Sequence, residues 1–159
     1  MKDSTINFLI VDDCEPIRFI LKSLFDLYDF DSEYATNGQE AVDAWAKGHF
    51  KAILMDLDMP IMGGLEAARI IRQREKEEMR EYTPIYALSA TEMSDPQRVC
   101  REAGMDGFLS KPVRVSRILE VIFPLVNSAP VGPVGRNGRK IKHQTQRVDG
   151  VSQTSQRMQ

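Results

Sequence analysis

The stretch Ala52-Ile53-Leu54-Met55-Asp56-Leu57-Asp58-Met59-Pro60 decides the fold. Four apolar residues in a row are too few for an independent helix and lead directly to a chain-bending proline, so the run reads as a strand buried on both faces. Asp56 stands at its far end. In an open parallel sheet, ligands gather in the crevice beyond the carboxyl ends of the strands, so a carboxylate delivered there is placed for chemistry. Met59-Pro60-Ile61-Met62-Gly63-Gly64 follows. Proline fixes one backbone angle and the glycines permit a reversal before the helical pattern that opens at Leu65, which gives a rigid rim beside the acid.

Outward from that strand, the same pattern recurs. Phe8-Leu9-Ile10-Val11 is a second short apolar run, ending in Asp12-Asp13. From Pro16, residues Ile17, Ile20, Leu21, Leu24 and Tyr28 keep the three-and-four spacing of one helical face. Glu33-Tyr34-Ala35 is a weak strand, and Asn37-Gly38 turns the chain into a short helix carrying Ala41, Val42, Trp45 and Ala46, closed by Gly48. Leu65, Ala68 and Ile71 mark a third helix, whose mixed-charge end Arg72–Glu78 reads as a solvated face. Thr83-Pro84 stops it, and Ile85–Leu88 forms a fourth strand that runs out into Ser89-Ala90-Thr91. Ser94-Asp95-Pro96 caps a short helix that Gly104 closes. Gly107–Ser110 is a fifth strand ending at Lys111-Pro112, and a last helix carries Val115, Ile118, Leu119 and Ile122 until Pro124 frays or ends it. Strands and helices in strict alternation predict an α/β fold, a parallel sheet with helices on both faces, because parallel strands need crossover connections.

The 159 residues fit one domain over residues 1–126, and 42% apolar content is ordinary for a globular core. No apolar run approaches the roughly 20 residues needed to span a bilayer and no signal-peptide layout opens the chain, so a cytoplasmic location and no membrane partner are expected. Cys14 and Cys100 lack the spacing of a zinc site and read as free thiols. His49 and His143 read as surface residues. Residues 127–159 carry six Lys/Arg against Asp149 alone, which leaves −7 on the rest of a chain whose net charge is −2. This polar, basic tail cannot bury enough apolar surface to offset ordering and is expected to be disordered. Its sparse charges, without aromatics, make it a solvated extension in preference to a nucleic-acid site.

Every strand that matters ends in a reactive group: Asp12 and Asp13, Asp56, Ser89, Lys111. Three carboxylates about 5 Å apart repel by roughly 3 kcal/mol per pair at an effective dielectric near 20, which a divalent cation or proton uptake must relieve. An all-oxygen site with few protein ligands suits Mg²⁺. A hydroxyl, an ammonium and a metal around one carboxylate match the needs of phosphoryl transfer, with Asp56 as nucleophile.

These features, in this order and spacing, resemble the receiver domain of two-component response regulators over about residues 5–126. The resemblance implies a flavodoxin-like sheet of order 2-1-3-4-5 and a stand-alone, chemotaxis-receiver-like module. It implies that Asp56 takes a phosphoryl group from phosphohistidine on a histidine kinase or histidine phosphotransfer protein. Asp13 and Asp56 would bind Mg²⁺ directly, Asp58 through its backbone carbonyl and Asp12 through water. Ser89 matches the hydroxyl residue that contacts the phosphoryl group, Lys111 the lysine that pairs with it, and the Lys111–Pro112 bond is cis in the family. Phe108 matches the aromatic switch position. With Ser89 it would change the face of the fourth helix, fifth strand and fifth helix for a downstream protein target, and without a hydroxyl it would respond through packing alone. The module would not be an enzyme beyond self-catalysed phosphoryl transfer and autodephosphorylation. Gly63 stands where many relatives have Asp, and Asp58 and Thr91 occupy positions that tune hydrolysis in the family.

Two alternatives stand beside this reading. Asp56-Leu57-Asp58 also resembles the nucleophile and acid of haloacid-dehalogenase-like phosphatases, although Pro60 stands where that family has Thr or Val and the acid pair lies upstream instead of downstream. The other is a pseudo-receiver scaffold that is never phosphorylated.

Overall fold

The computed structural model describes residues 7–90 and 93–127. Five strands and five helices alternate along the chain: β1 (Asn7–Val11), α1 (Glu15–Leu27), β2 (Asp31–Ala35), α2 (Gly38–Lys47), β3 (Ala52–Asp56), α3 (Gly64–Glu77), β4 (Ile85–Ser89), α4 (Pro96–Glu102), β5 (Gly107–Ser110) and α5 (Val115–Asn127). The strands form one parallel sheet in the order β2-β1-β3-β4-β5. The expected α/β architecture and strand order are therefore present. The tail and its expected disorder lie outside the described residues. Among those described, no helix is long and apolar enough to cross a membrane.

β3 is buried at all five positions because it is the central strand and both of its faces are covered. Alternate side chains feed two cores. Leu9, Val11, Ile53, Met55, Ile85 and Ala87 meet Val42 and Trp45 of α2, Ala68 and Ile71 of α3, and Cys100 of α4. Phe8, Ile10, Leu54 and Leu88 meet Leu21, Leu24 and Phe25 of α1 with Ile118 and Ile122 of α5. β2, at the sheet edge, is exposed over most of its length, which explains its weak apolar signal.

The helix ends follow local chemistry. The Asn37 side chain accepts from Glu40 N, while the Glu40 carboxylate reaches back to Thr36 N–H and Oγ1, a reciprocal cap that holds Glu40 below the usual carboxylate range. Asp95 caps α4 through Arg98 N, with Pro96 in the first turn. Gly104, at φ +86°, takes the left-handed conformation that ends this helix.

Three expectations need correction. On α1 the buried residues are Leu21, Leu24 and Phe25, whereas Ile20 is 61% exposed and Tyr28 is the exposed C-cap. The helix is apolar on more than one side, so spacing alone could not select the face that packs. Pro124 lies inside α5, which continues to Asn127 because Leu125 and Val126 still pack on the core. The charged end of α3 is not solvated throughout. Arg72 and Glu75 turn inward at side-chain exposures of 12% and 6%. Arg72 donates to Gly104 O, Glu75 and Asp106, and Glu75 accepts from Thr83 N, so both buried charges are satisfied.

Candidate functional site

The carboxyl edges of β1, β3, β4 and β5 deliver the side chains that the sequence singled out. Asp12 follows β1, its N–H bonded to Ala35 O, and its side chain is fully buried. Asp13, one residue on, points out and is exposed. Asp56 ends β3 opposite Leu88 and is 5% exposed. Buried Ser89 ends β4, and its carbonyl accepts from Lys111 N at 2.8 Å, which fixes the lysine at the end of β5. The Lys111–Pro112 peptide is cis.

Lys111 Nζ bridges the two buried acids, 2.6 Å from Asp12 Oδ2 and 3.1 Å from Asp56 Oδ2. Asp12 Oδ1 accepts from Cys14 N at 2.9 Å, so this buried carboxylate is satisfied at both oxygens. Among the described residues, Asp56 Oδ1 has one long bond, from Asp58 N at 3.3 Å. Burial pushes Asp56 above the usual carboxylate range; Lys111 opposes that shift and Asp12 adds to it. Burial pulls the Lys111 ammonium down, but Asp12 and Asp56 outweigh it and its pKa is raised. The lysine is thus a fixed cation.

Asp12, Asp13 and Asp56 offer carboxylate oxygens that all lie within 4.8 Å of one another. The Asp13 carboxylate has no hydrogen-bond or ion-pair partner among the described residues. A hard divalent cation fits this donor set: it is all oxygen, one side is open to water, and Asp13 and Asp56 Oδ1 retain lone pairs that Lys111 does not use.

The structure therefore brings together Asp12, Asp13, Asp56, Ser89 and Lys111. Asp58 is exposed and touches the acceptor through its own N–H. Phe108 lies opposite Ala87 and is partly buried against the core on the α4 side. Sequence reasoning missed Arg18, whose guanidinium donates to Asp12 O at 2.7 Å and ties α1 to the loop carrying the acid pair. Nothing in the sequence marks it beyond its place one turn into the helix. Gly64 was read only as a turn residue. A Cβ there would lie 2.1 Å from the Asp56 carbonyl oxygen, so α3 packs on the acceptor's backbone.

The chain matches the response regulator receiver domain over residues 8–123, and it belongs to that family. Two-component response regulator 24 of Arabidopsis thaliana is 31% identical over 126 residues, which cover 79% of this chain and 87% of that protein. Where the chain matches hybrid signal transduction histidine kinases of Dictyostelium discoideum, it spans 5 to 11% of their length. Among solved structures, one match is the co-crystal of the Saccharomyces cerevisiae histidine phosphotransfer signalling protein Ypd1 with the receiver domain of its downstream response regulator Ssk1. The TM-score is 0.69 and the identity 34%, over 74% of this chain and 86% of that one. The receiver domain of a sensor histidine kinase of Pseudomonas aeruginosa, solved with a magnesium ion in its active-site cleft, has a TM-score of 0.69 and 25% identity, over 79% of this chain and all of that one. The family match is to receivers of phosphorelay systems and does not favour the phosphatase alternative.

Proposed function

We propose that this receiver accepts a phosphoryl group on Asp56 from a phosphohistidine of a histidine kinase or histidine phosphotransfer protein and relays it as a change of surface. The observation that carries the reading is Lys111 Nζ seated between Asp12 and Asp56, with the partnerless Asp13 carboxylate alongside. An Asp56 oxygen attacks phosphorus while the phosphorus–nitrogen bond to the donor imidazole breaks and its electron pair stays on nitrogen. Lys111 then pairs with a phosphoryl oxygen, and the Ser89 hydroxyl donates to another. Mg²⁺ would be held by Asp13, Asp56 and the Asp58 carbonyl, with Asp12 acting through water, and when bound it supplies positive charge to the phosphoryl oxygens. Hydrolysis of the acyl phosphate restores the carboxylate, so the module acts on itself and turns over no external substrate. Movement of Ser89 toward the phosphoryl group leaves room for Phe108 to turn inward, altering the α4–β5–α5 face for a downstream protein. A cytoplasmic setting, which keeps an exposed thiol such as Cys14 reduced, accords with this role.

The donor has an apolar landing place. Phe19 and Ile20 are 69% and 61% exposed on α1, which starts at Glu15, one residue beyond the acid pair. They lie about 6 to 8 Å along the helix from its start, close enough for a protein that presents its histidine to Asp56.

The experiment is incubation with acetyl phosphate and Mg²⁺ followed by intact-mass measurement. Wild type gains one phosphoryl group and Asp56→Asn gains none, whereas labelling that survives Asp56→Asn excludes the assignment. Steady hydrolysis of a small phosphate ester, lost in Asp58→Ala, would support the phosphatase reading instead.

A further inference from the structure

Away from the acidic edge, α3 and α4 flank a shallow, open cleft of about 460 Å³. Its floor is the Arg72 side chain, which crosses to Gly104 O at 2.7 Å, is held by Glu75 and Asp106, and lies 3.9 Å from the Tyr82 ring centroid. A Cβ on Gly104 would meet Arg72 Cγ at 2.7 Å, so the missing side chain lets the arginine pass. The floor is rigid and already neutralised. The rim differs: it carries Arg69 and Lys76 from α3 and Arg101 from α4.

Of the 14 lysines and arginines among the described residues, eight have a hydrogen-bond or ion-pair partner, as in Lys22 with Asp26, Arg74 with Glu78, and Arg117 with Glu120. Among the described residues, the cations whose side chains have no hydrogen-bond, ion-pair or ring partner are Lys47, Lys51, Arg69, Lys76, Arg101 and Arg114. Three of these six line this one cleft. Both acids on the rim have partners, since Gln73 donates to Glu77 and Arg98 holds Glu102. Arg69, Arg72 and Lys76 share one helical face at spacings of three and four, an arrangement of like charges that weakens a helix. The net positive rim thus sits on a body that is otherwise negative.

We propose that the α3–α4 cleft docks an acidic peptide segment of a partner protein. Carboxylates spaced along an extended chain would meet Arg69, Lys76 and Arg101 in turn, while the arginine and lysine stems give their small neighbours apolar cover. The interspersed Glu77 and Glu102 fit a peptide of mixed polarity and repel a nucleic-acid backbone, whose negative charge is continuous. This docking does not depend on the phosphoacceptor reading and can stand if that reading fails.

The test titrates the ¹⁵N-labelled full chain with a capped octapeptide of alternating glutamate and alanine, read residue by residue from amide shifts. The expected result is shifts clustered at Arg69, Lys76, Arg101 and Gly104, with binding at least about fivefold weaker when NaCl is raised from about 50 to about 300 mM. Lys76→Glu/Arg101→Glu should weaken binding at least about tenfold, while Lys47→Glu/Arg114→Glu, which makes the same charge change elsewhere, binds like wild type. The per-residue readout separates the cleft from attraction to the basic segment 127–159. Equal shifts with the glutamine version of the peptide, equal losses in both double variants, or cleft shifts produced by a short DNA duplex but not by the peptide would overturn the proposal.

Discussion

Replacing Lys111 by Met removes one charge and keeps most of the stem volume, so it isolates what the ammonium does between two buried acids. Its distances of 2.6 and 3.1 Å to carboxylate oxygens correspond to attractions of about 6 and about 5 kcal/mol at an effective dielectric near 20. Asp12 and Asp56, with oxygens within 4.8 Å, repel by about 3 kcal/mol on the same scale. Without the lysine that repulsion stands alone, and the folded chain relieves it by binding a proton. Protonating a carboxyl of ordinary pKa at pH 7 costs about 4 kcal/mol, at about 1.4 kcal/mol per pH unit, and this caps the loss. Lys111→Met should therefore be destabilised by about 2 to 4 kcal/mol at pH 7, overlapping the roughly 3 to 5 kcal/mol for breaking a buried pair. In urea this is a midpoint lower by about 1 to 2 M. The sign of the pH dependence follows. The carboxyl that takes up the proton has a folded pKa raised above its unfolded value, so its stabilising contribution is complete below the unfolded pKa and lost as pH rises through the folded one. The deficit relative to wild type should shrink by at least about 1 kcal/mol between pH 7 and pH 5. Added Mg²⁺ should reduce it too. A midpoint within about 0.5 M of wild type at pH 7, or a deficit unchanged at pH 5, would refute the account of Lys111 as the charge that permits two buried acids.

Further outcomes follow from other parts of the molecule. Gly64→Ala, whose Cβ would lie 2.1 Å from Asp56 O, should cost about 1 to 3 kcal/mol in urea unfolding and slow acetyl-phosphate labelling through the displaced acceptor. Phe19→Glu/Ile20→Glu should slow transfer from a phosphorylated donor protein at least about tenfold while leaving acetyl-phosphate labelling and stability near wild type; equal slowing of both reactions would remove α1 from the donor surface. The Tyr82 hydroxyl, pushed up to about 12 by burial and by its 2.6 Å bond to Asp106, keeps its proton in the folded chain after the unfolded chain has lost it. Wild type should therefore lose stability relative to Tyr82→Phe as pH rises from about 10 to about 12, and parallel pH profiles of the two proteins would contradict this.

The fold was legible because β1, β3 and β4 are short apolar runs bounded by turn chemistry, and the edge where the site lies follows from parallel strands sharing one direction. Asp12, Asp13, Asp56, Ser89 and Lys111 were readable for that reason: a strand-end position needs no knowledge of side-chain orientation. What depended on orientation was not readable. Asp12 is buried and its neighbour Asp13 exposed, yet the pair looks symmetrical until the register of β1 against β2 and β3 is known. α1 carries Ile17, Phe19, Ile20, Leu21, Leu24, Phe25 and Leu27, too many apolar residues for spacing to choose a stripe, and the sheet chose Leu21, Leu24 and Phe25. Arg72 and Glu75 belong to a run that reads as solvated, and only their distant partners, Gly104 O, Asp106 and Thr83 N, make burial tolerable. Arg80 gives no local sign that it will donate to the carbonyls of Trp45, Ala46 and Gly48 at the end of α2 and stack over the indole.

The contact between Gly64 and the Asp56 carbonyl leaves the acceptor strand no slack, since the first turn of α3 is wedged against it like a chock behind a wheel. A side chain at position 64 would push the start of α3 off β3, so this close seat of helix on strand is open to glycine alone.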